Sequence, residues 1–273
     1  MVPILTVGTI FLLKIWTIRF FVLYLQKLMP EKHMQKIGIT ESGEVAYNLD
    51  VFDRLCDANI IITKSLTDKL IDKLVENKEK CILHLTCTGM GGTKLEPFVP
   101  TLDKTFEQFA KLIDKGFPVK HVVLRIDPIV PTTKGIDTAV NVFRKFRHSG
   151  ITRCRYSVMD MYQHVKERFA ENNIPLPYES FHAPQINRQM CHAALQLKCQ
   201  FLGMELEACG EPDIESISCI SQKDVDILGV DIELVGEKQQ RKTCHCPANK
   251  TELIKGKPHR CNNACLYCFW KNE

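Results

Sequence analysis

The chain predicts an α/β fold in which helices cover a parallel sheet, built as a doubly wound sheet or as an incomplete barrel. Three observations lead there. Short β-branched or apolar runs recur from Asn59 to Gly236, and most are followed by an amphipathic stretch. The 273 residues, 45% hydrophobic and 25% charged, suffice for one substantial core. Continuous apolar strands separated by helices bury both faces of a sheet, as parallel sheets require.

The strands expected are Asn59–Lys64 (NIIITK), Cys81–Cys87 (CILHLTC), His121–Asp127 (HVVLRID), Arg153–Asp160 (RCRYSVMD), Phe201–Ala208 (FLGMELEA) and Val230–Gly236 (VDIELVG). The helices expected between them are Leu66–Glu76, Leu102–Lys115, Asp137–Arg147, Ile186–Lys198 and the short Gln222–Leu228. Leu66, Leu70, Ile71 and Leu74 recur at helical spacing, as do Leu102, Phe106, Phe109 and Leu112.

Both candidate folds carry active sites at the carboxyl ends of their strands. There the chain offers Thr63-Lys64-Ser65, the glycine-rich turn Gly89, Gly91 and Gly92, the pair Arg125 and Asp127, and Glu205 and Glu207. The glycines suit either a tight turn or a ligand that approaches the backbone closely. Arg125 and Asp127 alternate along a strand and share a face, as an internal ion pair or as ligand contacts. Glu205 and Glu207 fit acid–base work or plain salt bridges. Lys64 reads as a carboxylate anchor or a solvated helix start. Cys87, Cys209 and Cys219 read as buried apolar thiols, and His164 and His182 lack metal-site spacing.

Net charge is +4, and no basic stripe interleaves with aromatics, so nucleic-acid binding is not indicated. The 13 cysteines include the close pairs Cys244/Cys246 and Cys265/Cys268, which suit metal sites better than disulfides and imply a reducing, cytoplasmic setting. Residues 1–35 form a separate apolar segment expected as a helix, ahead of a working domain over 36–273. Val2–Leu28 is long enough to span a bilayer, yet Lys14 and Arg19 near its middle each cost about 2.5–3.5 kcal/mol on insertion. A membrane anchor, a docked or interfacial helix, and an extension outside the fold all remain open.

The last fourteen residues are the most informative. Cys261, Cys265 and Cys268 form a CxxxCxxC motif, and random scatter of the 13 cysteines gives about 0.03 such triplets. Three thiolates suit an iron–sulfur cluster with one iron left without a protein ligand. A closed zinc site of Cys244, Cys246, Cys261 and Cys265 is the rival, although it leaves Cys268 unused. Cys244 and Cys246 also suit a second metal site.

This tail, with Tyr267 before the last cysteine, resembles the cluster motif of the radical S-adenosylmethionine superfamily. HLTCTGMGG (His84–Gly92), Glu96–Pro100, Leu124–Ile129 and Gln240–Cys246 are together similar to an uncharacterised bacterial family, a domain of unknown function with a carboxyl-terminal cysteine-rich motif. The resemblance extends from Asn59 to Trp270. It implies a partial (β/α)6 barrel, circularly permuted so that Val230–Gly236 is the first strand in space. It also implies a 4Fe–4S cluster on Cys261, Cys265 and Cys268 that reductively cleaves S-adenosylmethionine to a 5′-deoxyadenosyl radical. Thr63, Lys64, Gly89, Gly91 and Gly92 would then hold the cofactor, with Arg125 and Asp127 as polar anchors. An electron donor such as flavodoxin or ferredoxin is implied, and the substrate is left open. The superfamily's glycine-glycine-glutamate segment is replaced here by Thr63-Lys64-Ser65. The alternatives are a zinc- or cluster-stabilised binding protein without catalysis, with nucleic acid as one conceivable partner, and a membrane-tethered redox protein that only passes electrons.

Overall fold

The structure, a computed structural model, describes residues 35–237, 243–256 and 261–270. The expectations for Val2–Leu28 and for Gln240–Arg241 lie outside those residues. Among the described residues, no helix is long and apolar enough to cross a membrane.

Eight strands lie among the described residues: β1 (Ile37–Ile39), β2 (Ala58–Thr63), β3 (Cys81–Thr86), β4 (Val122–Ile129), β5 (Arg153–Val158), β6 (Glu205–Cys209), β7 (Ser216–Ile217) and β8 (Lys250–Glu252). They form one curled half-barrel in the order β7-β6-β5-β4-β3-β2-β1-β8. Every neighbouring pair is parallel, from Ala208 beside Ser216 at one edge to Ile37 beside Lys250 at the other. Six α-helices lie among the described residues: α1 (Asp68–Glu76), α2 (Leu102–Asp114), α3 (Thr133–Phe146), α4 (Gln163–Glu171), α5 (Gln185–Leu202) and α6 (Gln222–Leu228).

Local chemistry sets the helix starts. Thr67, Thr101 and Thr132 precede α1, α2 and α3, and each hydroxyl accepts the backbone N–H three residues on, at 3.3, 3.4 and 3.1 Å. A cap of this kind contributes about 1 kcal/mol. Ser221 and Asp224 close a reciprocal capping box at the start of α6.

Alternation along the strands separates two layers. Ile61, Leu83 and Leu124 join the large apolar layer with α1–α5, whereas Ile60, Ile82 and Val123 face a smaller one. On that second face the central strands turn polar: His84, Arg125, Arg153, Arg155 and Glu207 are all buried there. Val225 of α6 packs within this layer, while Asp224 of the same helix pairs with Arg153 at 2.7 Å and lies 3.8 Å from Arg155. The inner face is thus closed by α6 through ion pairs as well as apolar contacts.

Three sequence expectations are corrected. Val230–Gly236 is not a strand. Its backbone is satisfied locally instead: Asn249 donates to the Glu233 carbonyl at 3.0 Å, and the Ala248 N–H bonds to Val235 at 2.8 Å. The edge position beside β1 belongs to β8, and the described residues hold eight strands where six were expected. Phe201 and Leu202 end α5, so that strand begins only at Glu205. α4 and the two- or three-residue strands β1, β7 and β8 were not anticipated, since stretches that short carry no readable period.

Candidate functional site

The tail returns to the carboxyl ends of the strands and is tied down at three of them. After β1, the Glu44 carboxylate accepts from Asn263 at 3.2 Å, from the Lys64 backbone N–H at 2.9 Å and from the Thr63 hydroxyl. After β3, the Leu95 carbonyl accepts the Leu266 N–H at 3.1 Å, and Glu96 accepts the Tyr267 hydroxyl. After β5, α4 holds the Cys268 carbonyl with Arg168 at 2.7 Å and His164 at 3.2 Å, and Arg168 also reaches the Trp270 carbonyl at 2.8 Å. Ala264 sits in the left-handed region at φ 50°, a conformation that costs a non-glycine residue on the order of 1 kcal/mol and curls the loop between Cys261 and Cys265.

Lys64 is the hub of this rim. Its ammonium donates to Glu96 at 2.9 Å and to the Asp127 carbonyl at 3.2 Å, and it lies 5.6 Å from the centre of the Tyr267 ring. Burial disfavours the charge, but Glu96 and Cys265 outweigh it and hold Lys64 above its ordinary range. Glu96 is fully buried and also accepts from Thr88 at 2.7 Å. Burial lifts the Cys265 thiol to about 12 and the Cys261 thiol to about 11, with Lys64 pulling both back. Cys268 is raised by burial too, and Arg168 and Lys64 oppose the rise. One ammonium therefore acts on all three tail thiols. Burial thus makes these thiols hold their protons, and the fixed Lys64 cation partly offsets the cost of removing them.

The glycine turn is explained by packing. A Cβ on Gly91 would lie 1.9 Å from the Pro100 carbonyl oxygen, one on Gly89 would lie 2.8 Å from Thr138, and both Gly89 and Gly92 take positive φ. The close approach fixes the loop that presents Glu96. Arg125 and Asp127 form the internal ion pair, at 2.7 Å through Nε, and Ser157 donates to the other Asp127 oxygen. Glu207 pairs with Arg155 and Glu205 with Lys223, so neither carboxylate is at the rim as an acid or base.

Cys244 and Cys246 meet a different set. Their sulfurs lie 3.0 Å apart, and Cys209 and Cys219 lie 3.3 Å apart. Cys219 links the two pairs through Cys246. Among the described residues, the set of three candidate ligands close enough for one ion is Glu41, Cys219 and Cys246, and it includes none of the tail thiols. Cys209 and Cys219 are correspondingly not isolated apolar thiols. Hydrogen bonds from Cys209 and Cys246, reinforced by Arg125 and Arg155, hold Cys219 well below the usual thiol range. Cys87, by contrast, is simply buried, and burial pushes it up to about 11.

Sequence reasoning missed Glu44 and Asn263. It quoted Glu96 without a role, and only the fold brings these residues against the tail. No curated protein matches the chain in sequence. The rim, the turn that presents Glu96 and both thiol groups fall, apart from Glu41, within residues 42–270, the span matched by the domain of unknown function DUF1848, and the chain belongs to that family.

Proposed function

We propose that this protein is an iron–sulfur enzyme of the radical S-adenosylmethionine type, acting on a substrate still to be identified. One observation carries the reading: the tail is anchored at three separate strand-end loops so that Cys261, Cys265 and Cys268 share the field of Lys64 at the rim. The donor set fits a 4Fe–4S cluster, since three thiolates leave one iron open. Cys261, Cys265 and Cys268 would hold the cluster, which would supply the electron for reductive cleavage of S-adenosylmethionine. On this reading the fold is a circularly permuted partial barrel in which β8, at the sheet edge, precedes the cluster loop.

The chain's own residues have plain tasks in this scheme. Lys64 balances negative charge at the rim and keeps its proton, because Glu96 and Cys265 both favour the ammonium. Tyr267 and Asn263 fix the loop through Glu96 and Glu44, and Arg168 and His164 hold its far end. Thr63 orients Glu44 rather than facing a ligand directly.

The test is anaerobic reconstitution with iron and sulfide, followed by reduction in the presence of S-adenosylmethionine. The expected product is 5′-deoxyadenosine, formed by the wild type and absent for Cys265→Ala. A reconstituted wild-type protein that carries the cluster yet releases none would overturn the enzyme reading.

A further inference from the structure

Four thiols that the tail does not use converge on one another from three distant segments. Cys209 ends β6, Cys219 lies just past β7, and Cys244 and Cys246 come from the stretch before β8. All four are buried. A carboxylate from a fourth element joins them: the ligand atoms of Glu41, Cys219 and Cys246 all lie within 4.8 Å of one another. Cys209 is 3.3 Å from Cys219, and Cys244 is 3.0 Å from Cys246, so each extends the set by one sulfur.

Ordinary core cysteines behave as small hydrophobes and need no partner. These thiols instead sit among charges. Arg125 Nη1 lies 3.6 Å from the Cys219 sulfur, and Lys250 grips Glu41 at 3.0 Å. Two cations beside a sulfur group suit thiolates. A divalent ion on two thiolates and one carboxylate carries a net negative charge, and a further thiolate adds to it, which these cations offset.

We infer that Glu41, Cys219 and Cys246, completed by Cys209 or Cys244, hold a single thiophilic divalent ion, zinc by the character of its donors. Zinc accepts both cysteine sulfur and carboxylate oxygen, and four ligands close a structural site. Topology gives the ion its task. Glu41 follows β1, whereas Cys209 and Cys219 flank β7 beyond β6, and four strands separate β1 from β6. An ion bonded to both sides therefore clasps the two ends of the curled sheet across its inner face. The inference stands on the inner thiols and does not rest on the reading of the tail.

The experiment uses the full chain purified under reducing conditions, with metal content measured by mass spectrometry after dialysis against a weak chelator. One zinc per chain is expected in the wild type and in Cys265→Ala, and none in Cys219→Ser/Cys246→Ser, whose tail iron is retained. Should the double variant fail to fold, the wild type gives the answer by itself. Alkylation mapped by peptide mass should label Cys219 and Cys246 about tenfold more slowly with zinc than after strong chelation. Equal labelling with and without zinc would overturn the inference. So would inner thiols recovered as disulfides, or acid-labile sulfide that disappears with the inner cysteines but survives Cys265→Ala.

Discussion

The two thiol groups of this protein differ in how they are assembled. Cys261, Cys265 and Cys268 come from one short stretch at the rim, with Cys261 exposed and Cys265 buried. Cys209, Cys219, Cys244 and Cys246 come from three segments and are buried together beside Arg125 and Arg155. The first group is held by loops and hydrogen bonds to its own backbone, the second by the curl of the sheet. A ligand set contiguous in sequence can be positioned by a few anchors. A dispersed set exists only once the whole sheet has formed.

That contrast is open to attack by variants that strike one group and spare the other. The largest effect on stability is expected at Arg155, which is fully buried and binds Glu207, the Cys219 carbonyl at 2.7 Å and, more distantly, Asp224. Arg155→Met leaves buried carboxylates uncompensated and should cost about 3–5 kcal/mol in urea unfolding. The tail iron should be unchanged. A loss below about 1 kcal/mol would show that the inner layer does not depend on its ion pairs.

A smaller effect is expected at Glu96, the acceptor of Lys64, Thr88 and Tyr267. Glu96→Gln weakens hydrogen bonds made to a charged group and should cost about 1.5–3 kcal/mol. Its signature is local: Cys265 should be alkylated faster, and Cys219 at the wild-type rate. Equal acceleration at both cysteines would mean that the two groups are not independent.

The smallest effect is a pH slope. His84 is fully buried, and burial, followed by the Arg155 charge, holds its imidazole well below the ordinary value of 6.5. The unfolded chain therefore binds a proton below that pH that the native state refuses. Stability from this residue is complete above pH 6.5 and falls as the pH drops, by at most about 1.4 kcal/mol per pH unit. His84→Gln should flatten the slope between pH 6.5 and 5 in thermal or urea unfolding. An unchanged slope would assign the acid sensitivity to other groups.

Much of the architecture was legible because burial on both faces writes itself into long apolar runs. β2 to β5 and α1 to α3 lie where the alternation of such runs and helical spacing put them, within a few residues. Val230–Gly236 misled, since an alternating apolar pattern also serves a segment that packs one side on the core while Asn249 bonds its backbone. Short β1 and β8 were illegible because three residues carry no period. The CxxxCxxC spacing singled out the tail group and the Cys244/Cys246 pair a second site, whereas nothing in the spacing tied Cys209 and Cys219 to that pair.

The sequence by itself determined the α/β class and singled out the CxxxCxxC spacing of the tail, because these depend on periodicity and near neighbours. Only the tertiary structure decided that Lys64, paired with Glu96, acts on all three tail thiols, that β8 rather than Val230–Gly236 flanks β1, and that Glu41 meets Cys219 and Cys246. Those contacts join residues about 30 to 200 positions apart, and only the curl of the sheet brings them together.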